Sequence, residues 1–133
     1  MRRTTLFRLL TLLYLAAVAV LCFAKFSSLP SVQGSLLGIP TDKIVHFLMF
    51  LPFPVVALLS FKLKKPAILK LILIVVLLFI IGCLIAWGTE YVQGLLPYRN
   101  MDPVDFKADS LGLFAGSILS FIIFVFAVKK ANA

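Results

Sequence analysis

The sequence predicts an all-α membrane protein, a four-helix transmembrane bundle that uses all 133 residues as one domain. Hydrophobic residues make up 62% of the chain and charged residues only 14%, against roughly a quarter charged in soluble domains. The apolar residues fall into four runs, each close to the ~20 residues that cross a bilayer as a helix. The alternation typical of membrane β-barrel strands is absent, so helices are expected.

The first two predicted spans are 6–26 and 44–61. The first follows a basic start, so a cleaved signal peptide is an alternative, although the apolar stretch is long for one. The second contains Pro52 and Pro54, which remove backbone donors and bend a helix, either as a fixed kink or as a hinge. Thr41 precedes this span and is expected to cap it.

The last two predicted spans are 67–87 and 111–128. A short basic loop precedes the third span, so the second and third spans form an antiparallel hairpin. The third helix is expected to continue beyond its apolar run until Pro97 stops it. The last helix has a clear start, because Asp102 suits the N-cap and Pro103 the first helical position.

Basic residues are sorted between the two sides of this bundle. One side has the N-terminus, the second loop and the C-terminus, with Arg2, Arg3, Arg8, Lys62, Lys64, Lys65, Lys70, Lys129 and Lys130. The other side has Lys25, Lys43, Arg99 and Lys107, so nine of the 13 basic residues lie on the first side. The positive-inside rule therefore places both termini in the cytoplasm. Because the basic residues flank apolar runs, the net charge of +8 does not indicate nucleic-acid binding.

Ionisable residues collect at the predicted outer ends of three spans. The pairs at helical spacing are Asp42 with His46, Glu90 with Gln93, and Asp105 with Asp109. Gly112 and Gly116 continue the last stripe and allow close helix packing. Ionisable groups at membrane depth are costly and usually face an interior or an aqueous cavity. We therefore expect an outward-facing binding pocket formed by Asp42, Lys43, His46, Glu90, Gln93, Arg99, Asp105 and Asp109.

The chemistry of this pocket is open at the level of sequence. Arg99 is expected to hold a phosphate or to pair with Glu90. His46 and Glu90 are the candidates for acid–base catalysis. No spacing such as H-E-x-x-H is present, so neither a metal site nor a cofactor is assigned. Cys22 and Cys83 lie inside apolar spans and are expected to be buried thiols rather than a disulfide.

The polar residues resemble the pattern of the VanZ-like family of small membrane proteins. The matching elements are Asp42-Lys43-Ile44-Val45-His46-Phe47, Glu90 with Gln93, Pro97-Tyr98-Arg99, Asp105, and Gly112 with Gly116. Asp109 departs from this pattern, in which asparagine is expected. The resemblance implies a multi-pass protein of the bacterial inner membrane with a shared outer polar site. The family's namesake is associated with low-level teicoplanin resistance that does not involve replacement of peptidoglycan precursors.

Three functions follow as expectations. The first is a pocket that binds an anionic lipid or cell-envelope headgroup and so affects how lipoglycopeptides reach the surface. The second is a membrane hydrolase or transferase acting on a lipid headgroup through His46 and Glu90. The third is an accessory subunit of a larger membrane complex, whose protein partner the sequence does not identify.

Overall fold

The computed structural model describes residues 2–25 and 34–132, and these are mostly helical. The helices within these ranges are α1 (Arg3–Phe23), α2 (Thr41–Phe50), α3 (Phe53–Leu59), α4 (Ile68–Leu95) and α5 (Pro103–Asn132). Because α2 and α3 together form one span, the described ranges contain four spans long and apolar enough to cross a membrane. The prediction of four such helices is confirmed. The predicted end of the first span, Phe26, lies outside the described residues.

Helices α4 and α5 extend beyond the predicted spans. They have 28 and 30 residues, or about 42 and 45 Å at 1.5 Å per residue. The hydrocarbon core of a bilayer is about 30 Å thick, so both helices are longer than one crossing requires. Helix α5 begins as predicted, because Asp102 Oδ1 accepts a hydrogen bond of 2.8 Å from the backbone N–H of Val104.

The proline pair divides the second span. Helix α2 ends at Phe50 and α3 begins at Phe53. Pro52 and Pro54 have no backbone N–H, so the helical ladder is interrupted at this point. It resumes when the carbonyl of Pro52 accepts 3.1 Å hydrogen bonds from the next turn. The proline pair thus interrupts the helix where the sequence predicts a disruption.

A short β-hairpin leads into α2. Strands β1 (Ser35–Leu36) and β2 (Ile39–Pro40) pair antiparallel, and both turn residues have positive φ, which matches the twist of the strands. The predicted N-cap is wrong, because Thr41 is already helical and its hydroxyl donates to the carbonyl of Gly34 at 2.9 Å. Because the hairpin reverses the chain, Gly34 lies close enough to Thr41 for this hydrogen bond.

Helix α5 packs most extensively against α2 and α4. Two glycines of α5 allow this helix to lie close to α2 and to the turn that follows α2. A Cβ atom at Gly112 would clash with the carbonyl of Phe47, and one at Gly116 would clash with the carbonyl of Leu51. The predicted role of this small-residue stripe is confirmed, and it brings the outer turns of α2 and α5 together.

Most of the apolar surface remains exposed. At most 28% of the 18-residue apolar window of each span is buried inside the protein, so the rest requires a non-aqueous surrounding. Trp87 and Tyr91 stack on the exposed side of α4 with ring centroids 5.7 Å apart. Aromatic residues are enriched at membrane–water interfaces, and this pair lies in the turns that also contain Glu90. Both cysteine thiols are free within the described chain; Cys22 is buried as expected, whereas Cys83 is only partly buried.

The two ends of the bundle differ in charge. At one end, Arg2 and Arg3, the lysines of the α3–α4 connection and the C-terminal part of α5 surround a recess of about 850 Å³. The beginning of α1 and the end of α5 thus lie at the same end, as the span order predicts. The carboxylates lie at the opposite end. The cytoplasmic location of the basic end stays a prediction.

Candidate functional site

Polar residues from α2, α4 and α5 meet at the end of the bundle opposite the basic recess. We call this group the carboxylate cluster; it consists of Asp42, Lys43, His46, Glu90, Asp102, Asp105 and Asp109. The sequence predicted six of these as site residues and assigned Asp102 to the helix cap. The structure gives Asp102 both roles.

Lys43 is the centre of the more exposed half of the cluster. Its ammonium lies 2.5 Å from Asp102 Oδ2 and 3.0 Å from Asp42 Oδ2, and it also pairs with Asp105. The Lys43 side chain is only 16% exposed. Its hydrogen bond holds the pKa of Asp102 below the usual value. Lys43 therefore fastens the start of α2 to the start of α5.

His46 lies deeper, between two carboxylates of α5. Its Nδ1 is 2.8 Å from Asp109 Oδ1, and its Nε2 is 3.6 Å from Asp105 Oδ2. Asp109 is fully buried, less than one turn before the glycine that lets α2 approach. A buried carboxylate on one ring nitrogen fixes the orientation of an imidazole, as it does in catalytic triads and at metal sites.

Glu90 enters from α4 and is also fully buried. Its Oε2 accepts a 3.1 Å hydrogen bond from the backbone N–H of Asp102, so α4 supports the start of α5. Its other oxygen, Oε1, has no hydrogen-bond partner among the described residues, and the same is true of Asp109 Oδ2. Buried polar atoms are nearly always hydrogen-bonded, so two such carboxylate oxygens in one cluster require an explanation.

Three potential ligand groups converge within the carboxylate cluster. His46, Glu90 and Asp109 each offer one nitrogen or oxygen atom, and the three atoms lie within 4.8 Å of one another. They come from three different helices, so no spacing along the chain reveals them. Sequence reasoning recognised each residue but assigned no metal to them.

Gln93 and Arg99 lie outside the carboxylate cluster, and their side chains bind the end of α1. With Tyr98 they supply side-chain donors to carbonyls that a helix C-terminus leaves without intrahelical partners. The bonds are Arg99 Nη2 to Leu21 O and Ala24 O (3.3 and 3.2 Å), Gln93 Nε2 to Cys22 O (2.9 Å), and Tyr98 Oη to Phe23 O (2.6 Å). A guanidinium at a helix C-terminus is also favoured by the helix dipole.

The predicted ion pair between Glu90 and Arg99 is not formed within the described ranges, where the salt bridges of the cluster involve Lys43 and His46. Arg99 is committed to backbone carbonyls instead. Sequence reasoning missed the cap formed by Tyr98, although the aromatic hydroxyl between Pro97 and Arg99 was the available signal.

Comparison with known proteins adds no relative. No family model matches the chain, and neither a curated protein nor a solved structure matches it significantly. The functional interpretation therefore depends on the geometry of the carboxylate cluster and on the motif residues themselves.

Proposed function

We propose that this chain is a VanZ-like multi-pass protein of the bacterial inner membrane, with both termini in the cytoplasm. In this proposal, the carboxylate cluster lies at the outer surface and binds the headgroup of an anionic lipid or a lipid-linked cell-envelope molecule. The ordered motif residues support it, because residues from three distant segments, His46 of α2, Glu90 of α4 and Asp105 of α5, belong to one cluster.

The observation that carries the proposal is the pair of buried oxygens without partners, Glu90 Oε1 and Asp109 Oδ2. A polar network that served only stability would be more stable with every member satisfied. Carboxylate oxygens are acceptors, so their partner must bring hydrogen-bond donors or positive charge. Headgroup hydroxyl and ammonium groups are such donors. The half-exposed Asp42 and the partly exposed Asp102 give this end of the cluster contact with the surroundings.

The structure changes how a phosphate would be recognised. Arg99, the phosphate ligand expected from the sequence, is bound to carbonyls of α1. Lys43 is already surrounded by three carboxylates. In this proposal, the hydroxyl or ammonium donors of the headgroup contact the carboxylates. The negatively charged phosphate is repelled by the same carboxylates, so a counter-ion must accompany it.

Lipid retention measured by native mass spectrometry tests the proposal. We expect the purified protein to retain envelope lipids selectively, and Glu90→Gln and Asp105→Asn to reduce that retention several-fold. Lys107→Gln is the control, since it changes an exposed charge of α5 at the same end of the bundle. Unselective retention by the wild type, or equal retention by all folded variants, would contradict the proposal.

The link to glycopeptide resistance is tested separately, in cells. We expect expression of the wild-type chain in a susceptible bacterium to raise the inhibitory concentration of teicoplanin-type lipoglycopeptides. The Glu90→Gln variant, expressed to the same level, should give no increase. Equal protection by both chains would show that resistance does not depend on the carboxylate cluster.

The geometry of His46 and Asp109 favours one second candidate, a membrane enzyme that acts on a lipid headgroup. Asp109 on Nδ1 orients the imidazole, Nε2, which lies 3.6 Å from Asp105 Oδ2, would transfer the proton, and Glu90 would be the second acid–base group. Turnover of labelled envelope lipids by the wild type, lost in His46→Gln, would support catalysis. Absence of turnover across a panel of such lipids would leave the protein as a binding protein.

A further inference from the structure

We propose that His46, Glu90 and Asp109 form a binding site for one divalent cation between α2, α4 and α5. Three ligand atoms of these residues already lie within 4.8 Å of one another. Metal–ligand distances of about 2.0–2.2 Å bring ligand atoms to about 3–4.4 Å from each other, so small side-chain adjustments are sufficient.

Two of the buried oxygens of these residues have no partner in the described part of the chain. Glu90 and Asp109 are both fully buried, and each has one carboxylate oxygen without a hydrogen-bond partner among the described residues. A buried carboxylate is costly unless it is paired or coordinates a metal. A bound cation would satisfy both oxygens at once.

The charges of the three side chains also match a divalent cation. Two carboxylates and a neutral imidazole bring two negative charges, which one divalent cation neutralises. Lys43 is excluded from this role, because it is already paired with Asp42, Asp102 and Asp105. One nitrogen and two carboxylate oxygens suit Zn²⁺ or Mn²⁺ better than a soft, thiolate-preferring ion. The contact of His46 with Asp105 supplies the outer-shell support typical of metal-bound histidine.

The cation would also explain how an acidic cluster accepts a phosphate. A site with three protein ligands keeps coordination positions for other oxygens. A headgroup phosphate at one of them would receive the positive charge that Arg99 and Lys43 do not provide. This last step rests on the proposed function, whereas the cation site itself does not.

Metal titration of the purified protein tests the site without lipid. After removal of metals with a chelator, we expect the protein in detergent to bind one Mn²⁺ or Zn²⁺. Glu90→Gln and Asp109→Asn should each weaken this binding by about tenfold or more. These changes preserve side-chain shape, so the variants should melt at least as high as the metal-free wild type. Lys107→Gln should bind as the wild type does.

Pulsed EPR of the wild type with Mn²⁺ gives a result that does not depend on any variant folding. We expect a nitrogen coupling from one imidazole. Lack of this coupling, lack of saturable binding up to millimolar metal, or binding that survives both Glu90→Gln and Asp109→Asn would overturn the site. A proton shared by Glu90 and Asp109 would be the remaining explanation for their oxygens.

Lipid retention measured with and without the chelator separates the two proposals. Metal binding without selective lipid retention would uphold the cation site and contradict the proposed function. Selective retention by a protein that binds no metal would do the reverse. Retention that depends on added Mn²⁺ or Zn²⁺ would support both.

Discussion

Replacement of Gly112 by alanine is the sharpest test of how the cluster is assembled. The Cβ of the new residue would clash with the carbonyl group of Phe47, which belongs to the backbone of α2 and cannot rotate away. The helices would have to separate at the point that brings His46 to Asp109. Gly116 makes the same kind of approach to Leu51, so Gly116→Ala should behave alike.

The size of the effect follows from two opposing terms. Alanine is favoured over glycine inside a helix by about 0.8–1 kcal/mol. Overpacking costs about 1–3 kcal/mol where neighbours can still adjust, and a backbone carbonyl adjusts less than a side chain. We therefore expect a steric cost in the upper part of this range, so that Gly112→Ala lowers the free energy of unfolding by a net ~1–2 kcal/mol.

The matched control is Gly88→Ala in α4. A Cβ at Gly88 meets no atom within 4 Å, so only the helix-propensity term remains. This variant should gain about 0.5–1 kcal/mol. Equilibrium unfolding in mixed detergent micelles, followed by circular dichroism, gives both values. If the two alanine variants shifted stability in the same direction by similar amounts, the close α2–α5 contact would be refuted.

Three further predictions concern the polar groups. Lys43→Met should destabilise the fold by about 2–4 kcal/mol, because three carboxylates are left to repel one another. In the same unfolding assay, Asp42→Asn, which changes an exposed member of the cluster, should cost about 1 kcal/mol or less. Gln93→Leu removes the hydrogen bond to the carbonyl of Cys22 and so loosens the last turn of α1. In a single-cysteine background, we therefore expect maleimide to label Cys22 several-fold faster. Lys43 holds the pKa of Asp102 below its usual 3.8, so this stabilisation is complete above about pH 4 and lost as pH falls through the lowered value. Acid titrations of unfolding should therefore show a shallower loss for Lys43→Met than for the wild type.

Features set by neighbouring residues were predictable from the sequence. Asp102 followed by Pro103 begins a helix because both residues act on the first turn alone. Gly112 and Gly116 were predicted correctly as a packing stripe, since their spacing places them on one helix face. The proline pair predicted the disruption of the second span for the same local reason.

Features set by docking between distant segments were not predictable. Arg99 offers the same donors to a carboxylate and to a backbone carbonyl, and only the position of the end of α1 decides between them. The sequence predicted that His46, Glu90 and Asp109 share a pocket, but which of the pocket residues come within 4.8 Å of one another depends on the relative rotation of three helices. Composition and spacing along one chain carry no information about that rotation.

Helix α4 carries both a residue of the carboxylate cluster, Glu90, and a residue that binds the end of α1, Gln93. Gln93 holds the last turn of α1, and Glu90, one turn earlier, holds the backbone at the start of α5. Both side chains are buried, so this face of α4 fixes two neighbouring elements at the same level of the bundle. A ligand at Glu90 Oε1 therefore meets a carboxylate whose other oxygen is already immobilised. The site is then pre-organised, and Gln93→Leu should weaken ligand or metal binding indirectly even though Gln93 lies outside the cluster.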